Sequence, residues 1–286
     1  MEQSLPLCSP NEELSCFGCC PPIRPARYDH IDHVAILKRE FAENRRLLKD
    51  EGPAWRPIVG YSCWALGFLD GEGRRVGCLL HPQGNGGRDL RYLIDYEDKC
   101  RRESCLAARA FAALPPEGRS FWLPLAYGMS PFFFSSPRAN PLFHLLLWGR
   151  EVLEAMRDLA TREEWSVTEL LWRRRFLLNR IWNPRGDRFF FRTVIERLAE
   201  EGDALAGLEA CCMELRTAFV FAQGPSSSKG AVKNAVAPDA PYTHSLPMDA
   251  DFLDCLRITL NRSRISFDEA MKIHKALGDL AGEIMS

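Results

Sequence analysis

"IVGYSCWALGFLDGEGRRVGCLLHP", residues 58–82, decides how the first part of this chain folds. Two apolar runs flank Asp70-Gly71-Glu72-Gly73. That pattern specifies a β-hairpin, because glycine adopts the positive φ that a tight reversal between twisted strands requires. Cys63 lies on the first arm and Cys78 on the second. Pairing the arms would bring two thiols together.

Upstream, residues 29–52 carry Ile36, Leu37, Phe41, Leu47 and Leu48 near one stripe at helical spacing. Asp29 or Asp32 can cap this helix, and Gly52-Pro53 ends it. Residues 1–28 show no period and read as irregular chain. Downstream, "QGNGGRD" (83–89) is a glycine-rich turn, and residues 89–118 hold one or two short helices stopped at Pro115-Pro116.

From about residue 117 the texture changes. Helical patterns cover 140–160, 166–182, 188–202, 204–222 and 266–285. Ser166 with Glu169, and Ser266 with Glu269, match the capping-box spacing. Residues 223–248 are poor in large apolar side chains and read as a flexible loop. The expected architecture is mainly α. A cysteine-rich, irregular metal-binding domain with a β-hairpin (1–116) precedes an α-helical domain (117–286).

Composition narrows the function classes. With 37 basic and 38 acidic residues the net charge is -1, so no global field draws the chain to nucleic acid or an anionic membrane. No stretch reaches the roughly 18–20 apolar residues of a membrane helix. The start lacks a basic segment followed by an apolar one, so no secretory signal is read. A soluble, cytoplasmic protein is expected.

Of 11 cysteines, eight fall early: Cys8, Cys16, Cys19, Cys20, Cys63, Cys78, Cys100 and Cys105. In a reducing compartment such clustering points to metal rather than disulfides. A zinc site and an iron–sulfur cluster each take about four thiolates. Cys16 and Cys19 form C-x2-C, which delivers two ligands from one short loop. Cys19 and Cys20 are adjacent, and neighbouring side chains in extended chain point to opposite sides. Either one ligates and the other is structural, or the pair serves two centres. The adjacent pair and the surplus over four thiols favour a multi-iron site, or two sites, over a single zinc. Either metal would serve a structural, redox or electron-transfer role, with a redox or protein partner. Cys211, Cys212 and Cys255 lie in helical patterns and read as core. His30, His33 and His81 are secondary candidate ligands, while His144 reads as a packed helix residue.

"CFGCC" (16–20), the C-x14-C spacing from Cys63 to Cys78, and the C-x4-C of Cys100 and Cys105 resemble the CxxCxxCC-type zinc- or iron-chelating domain family. The resemblance spans about residues 8–105 and implies Cys16, Cys19, Cys20, Cys63, Cys78 and Cys100 as ligands, with Cys8 and Cys105 less closely matched. Two departures stand out. Cys8 lies farther from Cys16 than the family pattern places it, and a long insert separates His81-Pro82 from Cys100. The helical half has no counterpart.

Two alternatives belong to other classes. One is a metal-dependent enzyme with its site between the domains, walled by Trp122, Tyr127 and "PFFF" (131–134). The other is a metal-stabilised regulator reading nucleic acid with Arg173, Arg174, Arg175 and Arg180. Glu163, Glu164 and Glu169 offset that basic face, so nucleic acid is not the expected partner. Neither a phosphate-binding loop nor a dinucleotide fingerprint is present.

Overall fold

A computed structural model describes residues 6–20, 30–94, 100, 105–201, 205–222 and 240–285. Among these the chain is mainly helical, and its one sheet is a two-stranded hairpin. It divides into two compact units, Met1–His144 and Leu145–Ser286.

The first unit is built around helix α1 (His30–Glu51). It stops where expected: Gly52 takes φ 77°, and its N–H reaches the Leu48 carbonyl at 3.0 Å. The hairpin pairs β1 (Leu66–Phe68) with β2 (Val76–Cys78), with Leu66 opposite Cys78. Asp70 closes its turn by accepting the amides of Glu72, Arg74 and Arg75 at 3.1, 3.0 and 2.8 Å. The apolar stripe of α1 then explains the packing. Leu37 and Phe41 are buried with Leu66, Val76 and Phe17 in one cluster, where the rings of Phe17 and Phe41 meet edge-on at 5.7 Å. Ala65, Leu80, Leu90 and Ile94 form a second cluster. Polar side chains of α1 fix the segment before β1. The Glu40 carboxylate accepts the amides of Tyr61 and Ser62.

Past the hairpin come α2 (Leu106–Ala113), α3 (Pro116–Trp122), α4 (Pro131–Phe134) and α5 (Pro141–Leu146). Proline begins three of the four. Its fixed φ suits the first helical position, where no backbone N–H is required.

The second unit contains α6 (Arg150–Arg162), α7 (Val167–Arg173), α8 (Pro184–Glu201), α9 (Leu208–Ala222), α10 (Ala250–Asp254) and α11 (Phe267–Met285). The helical pattern over 140–160 is broken in two, because Gly149 adopts φ 83°. The pattern over 166–182 ends at Arg174, which leaves helical geometry at ψ 61°. The Ser166–Glu169 capping box forms in full, and Ser266 accepts the Glu269 amide at 3.2 Å.

Phe191 of α8 is the centre of this unit's core. Its ring lies 4.6 Å from Trp148, 4.8 Å from Phe176 and 4.9 Å from Trp182. The Trp148 indole N–H is satisfied by the Leu177 carbonyl at 2.9 Å, so burial leaves it no orphan donor. Residues 223–239 of the expected loop lie outside the described residues. Over 240–248, Thr243 is buried and tied by its amide to the Ser263 carbonyl at 3.0 Å.

Candidate metal centre

All eight early cysteines line one cavity of about 1190 Å³ in the first unit. Different elements deliver them. Cys8, Cys16, Cys19 and Cys20 come from the irregular chain before α1, Cys63 precedes β1, Cys78 ends β2, and Cys105 starts α2. Cys100 lies between the hairpin and α2, and the Arg91 guanidinium donates to its carbonyl at 2.8 Å.

The irregular chain is held by polar contacts rather than by regular structure. The Cys16 amide donates to the Cys8 carbonyl, and the Cys20 amide to the Phe17 carbonyl, both at 2.9 Å. The Ser15 hydroxyl accepts the Val76 amide at 2.8 Å, which ties the loop to β2. The Ser135 hydroxyl accepts the Phe17 amide at 2.9 Å. Gly18 sits so close to Ser135 that an added Cβ would lie 2.7 Å from the Ser135 carbonyl oxygen.

The thiols fall into two sets. Burial pushes Cys8 up to about 12, and the thiols of Cys19, Cys16 and Cys105 add to this. Burial pushes Cys16 up to about 11, opposed by the Gly18 amide and the Ser135 hydroxyl, with Cys19 and Cys105 as its thiol neighbours. Cys20 is driven far up, first by contact with Cys19, then by burial, then by Cys78 and Cys100. Cys78 rises to about 12 through burial, with Cys63 and Cys100 as its thiol neighbours and the Leu80 amide opposing. Packing draws a division: Cys20, Cys63, Cys78 and Cys100 lie on the two apolar clusters, which sets apart Cys8, Cys16, Cys19 and Cys105 as one set. The other is Cys20, Cys63, Cys78 and Cys100. They meet at Cys19 and Cys20, whose Sγ atoms are 4.0 Å apart.

Backbone donors reach several of these sulfurs. The Gly18 amide lies 3.4 Å from Cys16 Sγ. The Ala108 amide lies 3.3 Å from Cys105 Sγ, so this thiol caps α2. A helix N-terminus favours thiolate over thiol, and amides aimed at sulfur stabilise a metal-bound thiolate. Among the described residues, the charged side chains on the cavity wall are Arg45, Lys49, Arg75 and Arg91, the last ion-paired with Asp89 at 2.7 Å. Four thiolates around a dication carry a net charge of about −2, which these cations oppose.

Among the described residues, no three His, Cys, Asp or Glu side chains are drawn into the arrangement of a single-ion site. A zinc ion would hold thiolates about 3.8 Å apart, from a Zn–S bond of about 2.3 Å in tetrahedral geometry. The sulfurs of Cys19 and Cys20, 4.0 Å apart, come near that spacing, and among the described residues no third ligand joins them at it. The donor set, soft and numerous, fits an iron–sulfur cluster or zinc.

The histidines divide. His81 is on the cavity wall, and its Nδ1 accepts the Gln83 amide at 3.2 Å. Burial and the nearby Arg91 hold its pKa below the usual value, so it is neutral at pH 7. His33 is buried with its ring 6.1 Å from that of Tyr61. The His30 side chain lies outside the described residues. Cys212 and Cys255 are fully buried in the second unit, as core packing requires. Arg173 and Arg175 lie over the rings of Trp165 and Trp172 at 4.5 and 5.5 Å.

Sequence reading missed Arg45, Lys49, Arg75, Arg91 and Ser135, which line or support the cavity. No short-range pattern marks them. No protein-family model matches the chain, and comparison with curated proteins and with solved structures returns no match.

Proposed function

We propose that this protein binds metal through its eight N-terminal cysteines, as iron–sulfur or as zinc, in a structural or electron-transfer role. The observation that carries this reading is the convergence of all eight thiols on one cavity wall, where the charged side chains among the described residues are cations. Buried thiols repel one another once ionised, and a bound metal removes that conflict by fixing them as thiolates. Iron–sulfur is the better fit. Eight thiols on one cavity exceed the four that a single zinc site takes, and Fe–S clusters are held by cysteine thiolates.

Metal analysis tests this. The full chain, purified without air and reconstituted with iron and sulfide or with zinc, is expected to retain metal through gel filtration. Iron with equal sulfide and broad absorbance near 400 nm identifies a cluster, and colourless protein with zinc identifies the other metal. Protein that retains neither after reconstitution overturns the reading.

A further inference from the structure

The two thiol sets differ in their surroundings. Cys20 and Cys63 pack on the cluster of Phe17, Leu37, Phe41, Leu66 and Val76. Cys63, Cys78 and Cys100 pack on the cluster of Ala65, Leu80, Leu90 and Ile94. All four cysteines of this set therefore lie against apolar side chains. The other set is carried by irregular chain and the first residue before α2, and its Cys19 is solvent-exposed. The backbone passes from one set to the other at the Cys19–Cys20 peptide.

Resting on the metal-binding reading above, we propose that the protein holds two distinct metal centres, an outer one and an inner one. The outer centre takes Cys8, Cys16, Cys19 and Cys105. The inner centre takes Cys20, Cys63, Cys78 and Cys100. The division falls between the adjacent cysteines: Cys20 packs on the apolar cluster of Phe17 and Phe41, while Cys19 is solvent-exposed, so each serves its own centre. The 4.0 Å separation of their sulfurs places the two centres in close proximity. Each brings about −2 when loaded with a dication or with a cluster core of the same charge, and among the described residues Arg45, Lys49 and Arg75 oppose that sum from the wall, while Arg91 is paired with Asp89. The inner centre lies against apolar side chains, with its four cysteines half-buried. The outer one is open to reagents through Cys19. Amides aimed at Cys16 and Cys105 belong to the outer centre.

The test is a metal count on the full chain and on two double variants, all purified without air. Wild type is expected to hold two centres' worth of metal. Cys8→Ser/Cys105→Ser is expected to lose half and keep half. Cys63→Ser/Cys78→Ser is expected to do the same if it folds. A measurement on wild type does not depend on that variant. Removal of metal by a strong chelator is expected in two phases of equal amplitude, the first at least tenfold faster. Cys8→Ser/Cys105→Ser should show only the slow phase. A single phase in wild type, or complete metal loss or complete retention in Cys8→Ser/Cys105→Ser, overturns the two-centre assignment. Metal-free wild type after reconstitution would instead overturn the metal-binding reading itself, so the two failures are distinct.

Discussion

The Asn44 side-chain amide donates to the Cys63 carbonyl at 3.2 Å and to the Leu66 carbonyl at 2.9 Å. One residue of α1 thereby fixes the entry to β1 and the backbone that carries a candidate ligand. Asn44→Ala removes both bonds. At about 1 kcal/mol each, the first unit is expected to lose roughly 1–2 kcal/mol in denaturant unfolding. Asn44→Asp has the same size but no donors, and is expected to be no better than Ala. Wild-type stability in either variant would show that the contact is incidental.

Gly18 sits between Cys16 and Cys19, pressed against the Ser135 carbonyl. In Gly18→Ala the new Cβ would stand 2.7 Å from backbone oxygen, so the loop must shift. That displaces Cys16, whose sulfur accepts the Gly18 amide. Metal bound through the outer set is expected to fall several-fold, while metal bound through the inner set stays. Chelator kinetics on the variant read this directly.

Asp249 is bound by Arg192 in two-pronged fashion, at 2.9 and 3.1 Å. Burial pushes the Asp249 carboxyl up, but Arg192 and the amides of Phe252 and Asp251 outweigh it, so its pKa lies below the usual value. A depressed carboxylate stabilises the fold above its unfolded pKa of about 3.9, and the benefit fades as pH falls through the folded value. Asn at this position still caps α10 but lacks the charge. Asp249→Asn is therefore expected to be less stable by up to about 1 kcal/mol at pH 7, since the pair is partly exposed. The difference should shrink below about pH 4. A difference that persists at pH 2.5 would mean that charge is not the cause.

Phe191 is fully buried against three aromatic rings. Phe191→Ala is expected to cost the second unit about 3–5 kcal/mol, from lost transfer energy plus the cavity left behind. Phe191→Leu should cost much less. Thermal unfolding of both variants gives the comparison.

Local signals carried much of the fold. Asp70-Gly71-Glu72-Gly73 predicts its hairpin because turn chemistry is decided within four residues, and the stripe from Ile36 to Leu48 predicts α1 because helical spacing is equally local. The break at Gly149 was hidden, since apolar residues continue at helical spacing across it and only the positive φ interrupts the helix. The candidate site divides along the same line. The cysteines were legible as residues, and Cys63 with Cys78 as a pair, because the hairpin register sets that neighbourhood. Which set Cys8 or Cys105 joins was not legible, because tertiary packing decides it. Arg45 and Lys49 look like ordinary solvated positions of an amphipathic helix until the cavity is seen beside them.

The clip between Phe17 and Ser135 spans 118 residues of sequence. On a ribosome adding about 5–20 residues per second, Ser135 follows Phe17 by about 6–24 s. Through that interval the nascent N-terminal loop has no Ser135 to close it, and Cys105 also arrives late. The cysteines of the outer set must wait as reduced thiols until most of the first unit has emerged. If that set holds metal as proposed, its insertion would be a late event in the life of the new chain, and an oxidant acting early would divert these thiols before their last partners appear.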